Sequence, residues 1–133
     1  MMKEIIGLQQ QSDIIQARKI GREMAKTLGF GSADQTRLAT AISEITRNAI
    51  QYGRGGHCVI SGYSDRNEKK ISISVEDRGP GIPDIDKAME DGYTTGHGLG
   101  AGLPGARRLM HEFHIESGSG GTKVVMGMKQ KNF

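Results

Sequence analysis

At 133 residues the chain is long enough for one core and too short for two, and its formal charge of +3 comes from basic residues scattered in pairs such as Lys69-Lys70 and Arg107-Arg108. No basic stripe with interleaved aromatics is present, which sets nucleic acid aside as a partner. The single cysteine, Cys58, excludes an internal disulfide and fits a reducing cytosol, and no apolar run reaches membrane-spanning length, so a soluble cytoplasmic protein that needs no membrane is expected.

Three Phe, three Tyr and no Trp make the expected core aliphatic. Residues 3 to 9 predict a first strand, with Ile5, Ile6 and Leu8 as its apolar members. Asp13-Ile14-Ile15-Gln16 has the form of a capping box, and Ala17, Ile20, Met24 and Leu28 follow at helical spacing until Gly29 and Gly31. Ser32-Ala33-Asp34-Gln35 opens a second helix in the same manner, with an apolar stripe of Leu38, Ile42, Ile45, Ala49 and Tyr52, stopped by Gly53-Arg54-Gly55-Gly56. Val59 to Tyr63 and Ile71 to Val75 predict a hairpin around a polar turn at residues 64–68. Residues 84 to 90 predict a short helix. A glycine-rich stretch from Gly92 to Gly105 then leads into a helix expected to reach about Glu112, with Pro104 suited to its first turn. Ile115 to Ser117 and Thr122 to Met128 complete a mixed or antiparallel sheet of four or five strands with helices on one face, an α+β two-layer sandwich.

Three groups of residues carry chemistry. Gly96, Gly98, Gly100 and Gly102 remove every second side chain just before a helix N-terminus, so backbone N–H groups there can approach a phosphate chain. Glu44 and Asn48, four apart on the second helix, lie one above the other beside the apolar stripe. An Asn oxygen can ligate Mg²⁺ together with phosphates and water, and a Glu one turn away can act on a nucleophile nearby. A solvated Glu and a tolerated Asn are the plain alternative. Asp77 continues the apolar face of Ile71, Ile73 and Val75, where a carboxylate needs a donor such as an exocyclic amine, and Gly79 and Gly81 leave room for a flat base. A carboxylate capping its own loop through the Gly79 N–H is the alternative.

The ordered set Glu44-x-x-x-Asn48, Asp77-x-Gly79-x-Gly81 and Gly96-x-Gly98-x-Gly100-x-Gly102 resembles the N, G1 and G2 boxes of the GHKL superfamily, and Gly121-Thr122 resembles its late Gly-Thr pair. Within that superfamily, residues 41–48, 76–85, 89–95 and 98–105 resemble the switch serine/threonine kinases of the bacterial stressosome, of the anti-sigma-factor kinase type. The resemblance implies one Bergerat-fold kinase domain over residues 1–133 that uses ATP and Mg²⁺. Asp77, Gly79, Gly81 and Thr122 would meet adenine, Asn48 would hold Mg²⁺, and Glu44 would be the general base. A lid over residues 92–102 would bring Gly98, Leu99, Gly100, Ala101 and Gly102 to the phosphates.

It further implies a Ser or Thr acceptor on a STAS-domain scaffold or antagonist protein, and a downstream enzyme such as a PP2C-type phosphatase that the released kinase activates. His97 has no role under this reading. Arg47 is placed to help hold phosphate, or is a plain surface residue. A histidine kinase is disfavoured, because His57, His97, His111 and His114 all lie within or after the nucleotide motifs. His111 and His114 are expected near the end of the last helix as surface or capping residues. An ATPase motor would need a transducer domain for which there is no room. A nucleotide-dependent binding switch with little turnover remains the alternative function.

Overall fold

The structure, a computed structural model, describes residues 1–90 and 102–132. In chain order the elements are β1 (Met2–Leu8), α1 (Gln11–Thr27), α2 (Ser32–Tyr52), β2 (Gly56–Ser64), β3 (Glu68–Asp77), α3 (Ile85–Ala88), α4 (Gly102–Leu109), β4 (Glu112–Gly118) and β5 (Gly121–Lys131). The five strands form one sheet in the order β1-β2-β3-β5-β4, every neighbouring pair antiparallel.

Alternation along the strands decides which face the helices cover. Ile71, Ile73 and Val75 of β3 are buried, as are Cys58 and Ile60 of β2 and Val124, Met126 and Met128 of β5, while the residues between them are more open. Onto this apolar face pack Ala17, Met24 and Ala25 of α1 and Leu38, Ile42, Ile45 and Ala49 of α2. A Cβ at Gly21 would come within 2.3 Å of Ile42 Cδ1, so a side chain that small is what lets α1 lie against α2. The result is the expected α+β sandwich with an aliphatic core.

The capping box of α1 lies about one turn earlier than the sequence pattern predicts, on Gln10 and Asp13, and α2 starts one residue from the expected cap with no capping box. α1 begins at Gln11, and Asp13 sits in its first turn, where Oδ2 accepts the Gln9 and Gln10 N–H groups at 2.8 and 3.0 Å. Asp13 thus serves the helix start from inside it. Gly31, and not Ser32, caps α2, and Gln35 turns back to donate from Nε2 to the Phe30 carbonyl at 2.9 Å. α4 stops at Leu109, short of Glu112, because the chain from Glu112 onward pairs with β5, beginning with Glu112 opposite Gly127, and this edge pairing lays Phe113 and Ile115 against the core. Pro104 is the third residue of α4. His114 is therefore an exposed strand residue, and His111 lies before β4 with Nδ1 accepting the Lys129 N–H at 3.0 Å. Ile5 and Tyr52, expected among the apolar contacts, are 66% and 57% exposed. No helix among the described residues is long and apolar enough to cross a membrane.

Candidate functional site

The site lies between the middle of α2, the end of β3 and the β4–β5 hairpin. Within α2, Ser43 and Thr46 bury without orphaned groups because they donate their hydroxyls to the carbonyls of Ala39 and Ile42, at 2.9 and 2.7 Å. Glu44, on the same helix, is only 6% exposed. Its Oε1 accepts from Arg47 Nη1 at 3.1 Å and its Oε2 accepts the Gly102 N–H at 2.9 Å. The second contact satisfies a donor at the start of α4 and sets a negative charge at the positive end of that helix. Arg47 is accordingly committed to Glu44. Asn48, one turn on, is half-buried, and its carboxamide has no hydrogen-bond partner among the described residues.

Asp77 ends β3, and Oδ1 accepts two backbone N–H groups, from Gly79 at 3.0 Å and from Thr122 at 3.1 Å. The loop-capping alternative is therefore half of the geometry: one oxygen caps the loop and ties it to β5, while Oδ2 takes no protein hydrogen bond among the described residues. Gly53, at the C-terminal end of α2, backs this carboxylate so closely that a Cβ there would lie 2.2 Å from Asp77 Cγ. Gly79 in turn sits on Gly53, its own Cβ position 2.6 Å from the Gly53 Cα. Gly81 has φ +86, and a Cβ would strike the Gly118 carbonyl at 2.1 Å, so the loop after Asp77 closes onto the β4–β5 turn only with glycine there.

Thr122 is 8% exposed and pairs Oγ1 with Ser117 Oγ at 2.8 Å across the hairpin, while Ser117 Oγ accepts the Ile82 N–H at 2.6 Å. Ser117 and Gly53 were missed from sequence. Ser117 is signalled only by its cross-strand pairing with Thr122, which needs the register of the hairpin. Asp77, Ser117 and Thr122 also line, with the glycines of the β4–β5 turn and the charged Glu76, Glu116 and Lys123, a cavity of about 380 Å³ open to solvent, which Glu44 and Asn48 do not reach.

Five of the expected site residues are thus held at one end of the sheet or on α2 facing it: Glu44, Asp77, Gly79, Gly81 and Thr122. Asn48 and Gly102 join them through Glu44, by helix position and by hydrogen bond. Gly98, Leu99, Gly100 and Ala101 lie outside the described residues, as does His97. Cys58, buried under the sheet in apolar surroundings, has its thiol pushed up to about 12 and takes no part.

Residues 33–132 match the family model described as histidine kinase-, DNA gyrase B- and HSP90-like ATPase. The chain is 54% identical over 113 residues to the serine/threonine-protein kinase RsbT of Bacillus subtilis, covering 84% of this chain and 85% of that protein. It is 35% identical over 103 residues to an anti-sigma F factor of Clostridium novyi, covering 73% and 72% of the two. Among solved structures, the RsbU and RsbW domains of a Mycobacterium tuberculosis protein align with a TM-score of 0.69 at 22% identity, over 98% of this chain and 33% of that one. A mycobacterial sensor histidine kinase, MprB, aligns with a TM-score of 0.53 at 15% identity, over 96% and 97%. These two likenesses concern the fold.

Proposed function

The chain belongs to the histidine kinase-, DNA gyrase B- and HSP90-like ATPase family and is a serine/threonine protein kinase of its partner-switching branch, and we propose that it phosphorylates a Ser or Thr of a STAS-domain stressosome protein. The observation that carries the nucleotide assignment is the divided Asp77 carboxylate. With Oδ1 fixed by two backbone donors, Oδ2 is oriented and open to accept from the exocyclic amine of adenine. Gly79 and Gly81 hold the loop beside this carboxylate, their missing side chains making way for Gly53 and the Gly118 carbonyl, and Thr122 contributes its hydroxyl through the pair with Ser117.

The phosphates would run from there along α2 toward Glu44 and the start of α4, where the Gly102 N–H is held by Glu44 and the preceding Gly98, Leu99, Gly100 and Ala101 would supply the backbone donors. Asn48, a neutral oxygen ligand with no protein partner among the described residues, suits Mg²⁺, a hard cation that completes its shell with phosphate oxygens and water. When bound, that ion would supply positive charge to the phosphates during transfer. Glu44 accepts the proton of the acceptor hydroxyl through the carboxylate that the Gly102 N–H and Arg47 hold in place. Most of the acceleration comes from positioning and fixed charge, as is general for phosphoryl transfer.

We propose further that residues 1–133 act as one kinase unit in the cytoplasm. Once its STAS-domain scaffold or antagonist is phosphorylated, the kinase is released to bind and activate a downstream enzyme of the PP2C phosphatase type. Similarity to an anti-sigma factor favours a second reading, nucleotide-dependent capture of a partner with little turnover. Mass spectrometry of a STAS-domain partner after incubation with Mg·ATP tests between them. Phosphoserine or phosphothreonine on the partner supports the kinase, and a stable nucleotide-dependent complex without phosphate supports the switch.

A further inference from the structure

Beyond the C-terminal end of α2, on the far side of Asp77, a second cavity of about 290 Å³ is lined by Gln9, Arg54, Gly55, Gly56 and Arg78. Two arginines and no carboxylate line it. Both are exposed, and among the described residues neither guanidinium takes part in a hydrogen bond or ion pair. Of the acidic groups nearest in sequence, Asp13 is engaged with the Gln9 and Gln10 N–H groups and Glu76 with Lys123, while Asp77 turns Oδ1 to Gly79 and Thr122 and packs Oδ2 at Gly53 without pairing either arginine.

The backbone makes Arg54 conspicuous. It stands at φ +60, the left-handed region, between Gly53 and Gly55, and it is the one non-glycine residue with positive φ among the described residues. Glycine would adopt that conformation without strain, so the arginine is kept there against a local preference. Arg78 is held from the other side, its N–H donating to the Gly53 and Gly55 carbonyls at 3.2 and 3.3 Å. The two side chains therefore project from loops pinned to each other.

This cavity is separate from the path of the nucleotide's phosphates. Glu44 and Gly102 mark that path, and Glu44 precedes Gly53 by nine positions of α2, about 13 Å along the helix axis.

We infer that Arg54 and Arg78 form a second anion site that takes a phosphate group, either free or carried as a phosphomonoester on a protein side chain. Two unpaired guanidiniums match a doubly charged tetrahedral oxyanion, for which the planar donor fork is suited. The inference goes beyond the kinase reading and does not depend on phosphoryl transfer.

The test follows the arginine Nε–Hε resonances of the full chain by NMR, with and without saturating ADP. Inorganic phosphate and N-acetyl-O-phosphoserine amide are titrated separately against chloride at matched ionic strength. Saturable shifts of the Arg54 and Arg78 signals that persist with ADP bound are expected, with Kd raised at least tenfold in Arg54→Gly and in Arg78→Ala. Tighter binding of the phosphoserine compound assigns a protein-borne phosphate, and tighter binding of inorganic phosphate assigns the free ion. Arg54→Gly relieves the strained backbone, so its Tm should not fall and a loss of binding cannot be laid to misfolding. Shifts that grow linearly and equally with chloride, shifts abolished by ADP, or a Kd unchanged in Arg54→Gly would overturn the inference. Failure of ADP to bind would instead count against the nucleotide site and leave the arginine signals readable.

Discussion

Glu44 Oε2 accepts the backbone N–H of Gly102 at 2.9 Å, joining the middle of α2 to the first residue of α4 across 58 positions of sequence. The residue proposed as base is thereby a structural acceptor for the helix that follows the glycine-rich stretch. Its two roles separate by substitution. Glu44→Gln keeps one oxygen, which can accept from Gly102 while its amide faces Arg47, and has no proton affinity of use. Phosphotransfer is expected to fall about a hundredfold or more, in line with the worth of a general base, while Tm falls less than in the alanine variant. Glu44→Ala removes both functions and leaves the Gly102 donor and Arg47 without their acceptor, at a cost of about 1–3 kcal/mol in denaturant unfolding. Equal activity loss with equal destabilisation in the two variants would show that the carboxylate is only structural.

Asp77 makes a similar pair. Asp77→Asn retains Oδ1 for the Gly79 and Thr122 N–H groups but places an amide donor where Oδ2 stood, facing the donor amine of adenine. ADP affinity measured by calorimetry is expected to fall by about a hundredfold with the fold intact. Asp77→Ala orphans two backbone donors as well and should also unfold at lower urea, by about 1–3 kcal/mol. Wild-type affinity in Asp77→Asn would remove this carboxylate from the adenine site.

Gly53 has no contact with ligand in this account, yet it sets the seat of Asp77. A methyl group at residue 53 would lie 2.2 Å from Cγ and 2.4 Å from Oδ2 of that side chain, so the carboxylate must move. Gly53→Ala is expected to weaken ADP at least tenfold. An unchanged Kd would mean that the end of α2 gives way without disturbing the site.

Cys58 provides a pH signature of the core. Burial raises its thiol from an ordinary value near 9.0 to about 12, so the folded state keeps the proton that the unfolded chain gives up first. The unfolded state then binds fewer protons between those values, and stability falls as pH rises from about 9 toward 12. The limiting slope is about 1.4 kcal/mol per pH unit from this group. Below pH 9 it contributes no slope. Urea unfolding of the wild type and of Cys58→Ala across this range should differ by that slope, with the native thiol unreactive to a disulfide reagent at pH 8. Identical slopes would place the thiol in contact with water.

Much of this architecture was legible in residue pattern. The strict alternation of Ile71, Ile73 and Val75 with serines fixed the inward face of β3, and it exposed Asp77 as a carboxylate where an apolar residue was due. Helix ends were less legible, because Asp13 and Ser32 satisfy a capping pattern equally well from the cap or from the first turn. Only the backbone decides between them. The run Leu109, Met110, Phe113 keeps helical spacing, while Phe113 and Ile115 alternate as a strand. Pairing with β5, a contact distant in sequence, selected the strand. Ser117 and Gly53 matter through neighbours that sequence does not place beside them, and the left-handed Arg54 looked like one more residue of a glycine stop.

The measurement that bears most directly on the function is the stoichiometry of a single experiment with γ-labelled Mg·ATP and a STAS-domain partner, in which ADP formed and phosphate recovered on partner Ser or Thr are both counted. The account predicts one phosphate on the partner for each ADP, with both lost in Asn48→Asp, where a second negative charge replaces the neutral ligand beside the phosphates. ADP formed with inorganic phosphate and an unmodified partner would contradict it, as would full transfer by Asn48→Asp.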